Sequence, residues 1–310
     1  MQAERTIVTE QVAKPKRSRR RLVTVSVYAL SAIALMVLGH LLFTCLPFTV
    51  IGGFFSDAIS SVDSTILYFI LAGFIAQMID GALGMAYGVS ATTFLLSVGV
   101  PPSAASASVH ASEIFTSGVS GLMHLKFGNV NTKLFRNLLI PGIAGAILGA
   151  YVLTSLEEYN FIIKPIVAAY TLVLGIIIIA KALKKDKVRK KIRRVVPLAA
   201  IGGFLDSLGG GGWGPIVSST LIAGGRNPRY TIGSVNLAEF FVALASSLTF
   251  ITLIGLHHWQ VIAGLVTGGC IAAPIAAYLS KHLPVKTIMI TVGVLVIIVS
   301  LHIIYMVLIK

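Results

Sequence analysis

A chain of 310 residues that is 56% hydrophobic and 12% charged carries more apolar side chain than a soluble globule of its length encloses. This excludes a water-solvated domain and makes a bilayer the solvent. The net charge of +14 would fit nucleic acid, but Lys and Arg gather in Lys14–Arg21 and Lys181–Arg194, each abutting an apolar run. Cations so placed set membrane orientation and meet anionic headgroups, so no nucleic-acid partner is expected.

In chain order, residues 1–21 form a basic tail, expected to be disordered. Residues 22–45 read as a retained N-terminal transmembrane helix, because the apolar stretch is too long for a signal peptide and no small-residue cleavage site follows it. A first transmembrane repeat is expected over 64–183, a basic loop over 184–196 and a second repeat over 197–309. Strand-like alternation is not evident, which argues against an outer-membrane barrel. The fold class is therefore an all-α polytopic membrane protein. Cys45 and Cys270 are the only cysteines and lie in apolar surroundings, so neither a disulfide framework nor a cysteine zinc site is expected. No metal-ligand set is assigned and no cofactor is called for.

The repeats rest on self-similarity. At one offset of 126 positions, Asp80 falls on Asp206, Gly84 on Gly210, Tyr87 on Trp213, Gly88 on Gly214, Pro102 on Pro228 and Glu113 on Glu239. Of the 11 acidic residues only Asp80, Glu113, Asp206 and Glu239 lie within apolar segments, and they form two pairs at that offset. Duplication explains this best. Each copy is expected to open with a hairpin (66–97, broken at Asp80–Gly84, and 198–223), followed by three crossings. These are placed at 103–124, 137–155 and 161–183, then at 230–252, 259–279 and 287–309. With the N-terminus in the cytoplasm, this path leaves all but Lys164 and Lys310 of the 25 Lys and Arg residues on the cytoplasmic side. One copy then starts outside and the other inside, so the repeats are inverted, an arrangement that with broken helices marks transporters.

"DGALGMAYG" (Asp80–Gly88) and "DSLGGGGWG" (Asp206–Gly214) are the two copies of one element. Clustered glycines weaken a helix by about 1 kcal/mol each relative to alanine. Irregular backbone at membrane depth is tolerated only where protein or a cavity satisfies it. Each copy therefore reads as a re-entrant helix break, with Asp80 or Asp206 accepting from free amides and a half-helix N-terminus that attracts anions. The glycines involved are Gly81, Gly84 and Gly88 in one copy and Gly209, Gly210, Gly211 and Gly212 in the other. Close helix packing through small residues is the alternative. "GGGGWG" lacks the following Lys-Ser/Thr of a phosphate loop.

Ser106, His110, Glu113, Ser117, Ser120 and His124 recur at three- and four-residue spacing and form one polar stripe. Asn236, Glu239 and Ser246 match it in the second copy. Ionisable groups at this depth are costly and usually face a bundle interior or a water path. Glu113 and Glu239 are candidate proton carriers, His110 and Asn236 candidate substrate ligands; interhelical hydrogen bonding is the plainer role. His124, His257 and His258 read as structural or interfacial. "GVSG" (Gly118–Gly121) also matches a rhomboid-type protease pattern, with Ser120 as nucleophile and His302 as the one clear base candidate. Four acids and no Arg within the spans would suit a cation or proton as readily as an anion.

Residues Gly73–Asn131 and Gly202–Phe241 resemble the first and second repeats of sulfite exporter TauE/SafE-type permeases, most specifically at the two Asp-Gly-rich breaks and at His110–Glu113 and Asn236–Glu239. The resemblance implies a cell-membrane permease for a small sulfur-containing anion such as sulfite, a sulfonate or thiosulfate; the broken inverted repeats and buried acids add the expectation of alternating access, with Glu113 and Glu239 carrying a coupling proton. Direction and oligomeric state do not carry over. On this reading the anion sits at the paired breaks, beside Tyr87 and Trp213, held by backbone amides and by Ser90, Thr92, Thr93, Ser218, Ser219 and Thr220.

Overall fold

The computed structural model describes residues 62–83, 85–183, 194–255, 258–279 and 285–309. The expected basic tail, the first transmembrane helix over 22–45, Gly84, His257 and most of the basic loop lie outside the described residues.

Apolar periodicity resolves into ten α-helices among the described residues. The first run is α1 (Ile66–Leu83), α2 (Tyr87–Ser97), α3 (Pro102–Lys126), α4 (Thr132–Ser155) and α5 (Asn160–Leu183). The second is α6 (Val195–Gly209), α7 (Ser219–Ala223, preceded by a π-helical turn over Trp213–Ser218), α8 (Pro228–Ile254), α9 (Trp259–Leu279) and α10 (Val285–Ile309). Local chemistry sets several ends. Pro102 and Pro228 occupy first helical turns, where a missing N–H costs nothing. The Asn131 side chain accepts from Leu134 N at 2.9 Å, which starts α4 five residues before the expected 137.

Five segments are long and apolar enough to cross a membrane: Thr132–Ser155, Glu157–Leu183, Pro228–Ile254, Trp259–Ala276 and Lys286–Ile309. Helix α3 is as long, at 25 residues, but carries the polar stripe and is not among them. Burial is inside-out relative to a soluble protein. Ile140, Phe161 and Leu308 are 74%, 69% and 76% exposed, while His110, Asp206, Ser207 and Thr171 are 1% exposed or less. Only a hydrocarbon solvent makes that distribution favourable. The protein is a multi-pass helical membrane protein.

Packing pairs the two runs crosswise. Helix α1 lies on α9 and α6 lies on α4; α3 packs on α8 and α5 on α10. Each contact is thus matched by its counterpart when the runs are exchanged. The α1–α9 and α4–α6 contacts are backbone to backbone. A Cβ on Gly268 would overlap Ile70 O and stand 2.7 Å from Phe74 N, and one on Gly145 would overlap Ala200 O and stand 2.9 Å from Phe204 N. Small residues spaced by four, Gly264/Gly268 and Gly145/Gly149, allow this approach. Between α5 and α10 the Thr171 and Ser300 hydroxyls meet at 2.8 Å.

The breaks fall later than expected. Helix α1 continues through Asp80 and Gly81 to Leu83, and α6 through Asp206 to Gly209. Gly81 is closely packed: a Cβ there would lie 2.5 Å from that of Ala276 on α9. Unwinding comes at Met85–Ala86 and at Gly210–Gly212, where Ala86 (φ 84°) is the only non-glycine residue at positive φ among those described and Gly210 (φ 66°) ends α6 in the left-handed region.

Candidate substrate cavity between the two broken helices

The two breaks meet. A Cβ on Gly88 would stand 2.7 Å from Gly211 Cα and 2.8 Å from Glu113 Oε1, and one on Gly211 would overlap Val89 N and the Gly88 carbonyl carbon. Only a pair of residues without side chains allows the backbone of α2 to touch the unwound strand after α6.

That strand's polar groups are satisfied within the protein, as an apolar interior demands. The Thr92 hydroxyl donates to Gly210 O and the Tyr170 hydroxyl to Gly211 O at 2.8 Å. Asp206 Oδ1 accepts from Trp213 N at 2.8 Å, so the carboxylate caps the restarting segment from seven residues upstream. In the first copy Asp80 faces the backbone N–H of Tyr87, again seven residues on. The Trp213 ring, fully buried, donates from Nε1 to Val235 O at 3.2 Å.

A cavity opens between the breaks and the facing helices α3 and α8. Asp80, Met85, Ala86, Tyr87, Gly88 and Val89 line it from the first break; Asp206, Gly212, Trp213, Gly214 and Pro215 from the second. Glu113, Thr116, Ser117 and Ser120 of α3 and Asn236 and Glu239 of α8 close it. It offers about 30 Å³ to the centre of a water-sized sphere, room for one or two waters. All four intramembrane acids reach it, and no Lys or Arg is among the described residues that line it.

Nine of the residues predicted as substrate or proton ligands line one cavity: Asp80, Tyr87, Gly88, Glu113, Asp206, Gly212, Trp213, Asn236 and Glu239. The other described ones stand outside its lining. Gly81 packs on α9, Gly209 against the Tyr170 ring and Gly210 against Thr92. Thr93 donates to Val89 O in its own helix at 2.7 Å. The Ser219 hydroxyl donates to Pro215 O and receives Lys181 Nζ. Ser90, Ser218 and Thr220 are likewise absent from the lining. A helix that restarts at Tyr87 presents its first turn to the cavity, and residues a turn later face the neighbouring elements.

The cavity's hydroxyls come instead from α3. Ser117 and Ser120 belong to the polar stripe; Thr116, one turn beyond Glu113, could have been found by the same spacing. Asn236 Nδ2 donates to Ser120 Oγ at 2.8 Å, so the partner of this serine is an amide from α8. His302 lines a different pocket, beside Phe161 and Met306. The nucleophile–base pair that proteolysis requires is not assembled at Ser120. Lys181, counted in sequence with the basic cluster, bonds the π-helical turn at Pro215 O.

His110 lies behind the cavity, fully buried. Its Nδ1 is 2.8 Å from Ser106 O and its Nε2 is 3.1 Å from Asp206 Oδ2. His110, Glu113 and Asp206 each bring one ligand-type atom within 4.8 Å of the others. On the far side, the His110 ring leans on Phe250, with centroids 6.2 Å apart.

Spanning helices around a buried polar cavity are the architecture of a membrane transporter. The sequence profile described as "Sulfite exporter TauE/SafE" matches residues 68–303. The chain is also similar to "Probable membrane transporter protein YtnM" of Bacillus subtilis (strain 168), 38% identical over 245 residues that cover 76% of this chain and 81% of that one. It belongs to the sulfite exporter TauE/SafE family. No solved structure matches it.

Proposed function

We propose that the protein is a secondary transporter of small sulfur-containing anions, sulfite, sulfonates or thiosulfate, working by alternating access between inverted repeats, with protons as coupling ion. The N-terminus is placed in the cytoplasm and the chain in the cell membrane, on the distribution of Lys and Arg. The observation that carries the reading is the meeting of the two breaks, Gly88 against Gly211, over a cavity at the junction of the two runs of helices. That is where carriers built from inverted repeats bind their cargo. The substrate class rests on membership of a family named for sulfite export.

Electrostatics support a role for protons. At an effective dielectric constant of about 20, an ionised carboxylate roughly 5 Å from an anion opposes it by about 3 kcal/mol. Four such groups would oppose binding by more than ten kcal/mol (about 13), more than half-helix amides offset. Glu113 and Glu239, opposite each other on the paired helices α3 and α8, are the groups assigned to carry the coupling protons.

Proteoliposomes containing the full chain test this. Sulfite uptake should follow an imposed proton gradient, and Glu113→Gln or Glu239→Gln should abolish the pH dependence; its full retention in both would discard the coupling role. The acid-rich lining favours one second reading, a cation or proton transporter. Sodium or divalent-metal flux that sulfite leaves unchanged would establish it in place of the first.

A further inference from the structure

The contact between His110 and Asp206 cannot be made by the neutral, unprotonated groups. A carbonyl oxygen only accepts, so the 2.8 Å contact to Ser106 O places a proton on His110 Nδ1. The neighbouring Ser106 hydroxyl cannot supply that proton, because it is committed to Ser207 O at 2.5 Å. A neutral imidazole with Nδ1 protonated has a bare lone pair on Nε2. That lone pair faces Asp206 Oδ2 at 3.1 Å. An ionised Asp206 would present another lone pair, and two lone pairs at hydrogen-bond distance repel. Oδ1 gives no alternative, being occupied by Trp213 N at 2.8 Å. Something positive stands between Nε2 and Oδ2.

A metal ion is the poorer occupant. No ion is needed to bring the two groups together, and the melting comparison below with Zn²⁺ and Mn²⁺ separates the two occupants. The direct 3.1 Å approach of nitrogen to oxygen is the length of an ordinary hydrogen bond.

We infer that His110 and Asp206 share one proton across the junction of the two repeats, making the pair a proton-holding element of the transport cycle and not a substrate ligand. This rests on the transporter reading and deepens it. Occupied, the pair is neutral overall; emptied, it carries one negative charge. The way out is short. Glu113 sits one turn along α3 from His110, and its Oε2 is buried without a hydrogen-bond partner. A proton leaving Nε2 or Oδ2 passes to a carboxylate oxygen of Glu113, which lines the cavity, and from there to cavity water or cargo. The titratable groups facing the pair are Glu113 on α3, Glu239 on α8, Asp80 on α1 and the Tyr170 hydroxyl on α5. All of these are acids or phenols; Lys181 of α5 bonds Pro215 O and Ser219 Oγ. Because His110 belongs to the first repeat and Asp206 to the second, loss of the proton sets the halves against each other at this point.

Asp206→Asn is the discriminating variant. An asparagine keeps an Oδ1 acceptor for Trp213 N and offers Nδ2–H to His110 Nε2, reproducing the protonated contact without a titratable group. Thermal unfolding of the full chain in detergent is compared between about pH 6 and 9. Where the folded pair holds the proton and the unfolded chain does not, the melting temperature should fall by roughly 2–4 °C per pH unit, and that slope should vanish in Asp206→Asn. His110→Gln, whose amide is also a fixed donor, should lose it too. Residual sulfite uptake by either variant in proteoliposomes should no longer vary with pH over that window. A wild-type slope kept by both variants overturns the inference. So does stabilisation of wild type by Zn²⁺ or Mn²⁺ that both variants lose, which would make the site a metal site. If wild type moves no sulfite at all, the transport assignment fails, and the melting comparison still decides the shared proton.

Discussion

The closest approach between the two breaks can be tested with a single methyl group. In Gly211→Ala the new Cβ would overlap Val89 N and the Gly88 carbonyl carbon and stand 2.8 Å from Gly88 Cα, so two backbones must separate. Forcing an extra carbon into a closed contact costs about 1–3 kcal/mol. The positive φ of 153° adds a strain of about 1–2 kcal/mol. Gly128→Ala supplies the control. Its φ is 67°, but nothing lies within 4 Å of its Cβ, so it carries the backbone strain alone. The difference between the two variants contains the steric term and whatever strain φ 153° adds over φ 67°, and corresponds to a gap of roughly 3–10 °C in melting temperature. Because membrane proteins often unfold irreversibly, both are heated at one scan rate and compared with each other. Gly211→Ala should also lose transport, since the separated backbones bound the cavity. Melting of the two variants within about 1 °C of each other would refute the meeting of the breaks, and with it the location assigned to the substrate.

Three further outcomes are expected. Gly268→Ala drives a methyl into the backbone of α1 and should destabilise by about 1–3 kcal/mol, whereas adjacent Gly269→Ala, with nothing closer than 3.9 Å, should be neutral or stabilising by up to about 1 kcal/mol through helix propensity; equal melting temperatures would contradict the α1–α9 interface. Trp213→Ala removes a fully buried ring and should cost about 3–5 kcal/mol, against about 1 kcal/mol for Trp213→Phe, which gives up mainly the bond to Val235 O. Thr171→Val breaks the α5–α10 hydroxyl contact but should cost only about 0.6 kcal/mol in denaturant titration, the average for such bonds in membrane interiors.

Much was legible without coordinates because it is written locally. Apolar content and helical spacing are properties of consecutive residues, so the membrane class and five of the six crossings expected among the described residues followed from the chain order alone; the one expected at 103–124 is α3, which is not among the long apolar segments. The two pairs of acids at one offset pointed to a duplication, and the clustered glycines located both breaks to within a few residues. Where those breaks fall in detail was not local. Gly81 reads as a helix breaker, yet it lies within α1 and packs against Ala276, almost two hundred positions away. The hydroxyls at the cavity illustrate the same limit. Ser90, Thr92 and Thr93 sit beside the motif in sequence, but Thr92 spends its proton on Gly210 O, while Thr116 and Ser117, on another helix, line the cavity.

Sequence by itself determined that this chain is an all-helical membrane protein, with acids and glycines at two interruptions that share one offset. Only the tertiary structure decided that the interruptions touch, that four acids share one cavity with no basic residue among the described residues lining it, and that His110 reaches Asp206 rather than the cavity. The reason is physical. Which face a helix buries is encoded along its own length, whereas the partner it meets is set by how distant helices cross, and glycine's lack of a side chain permits a close approach without naming what approaches.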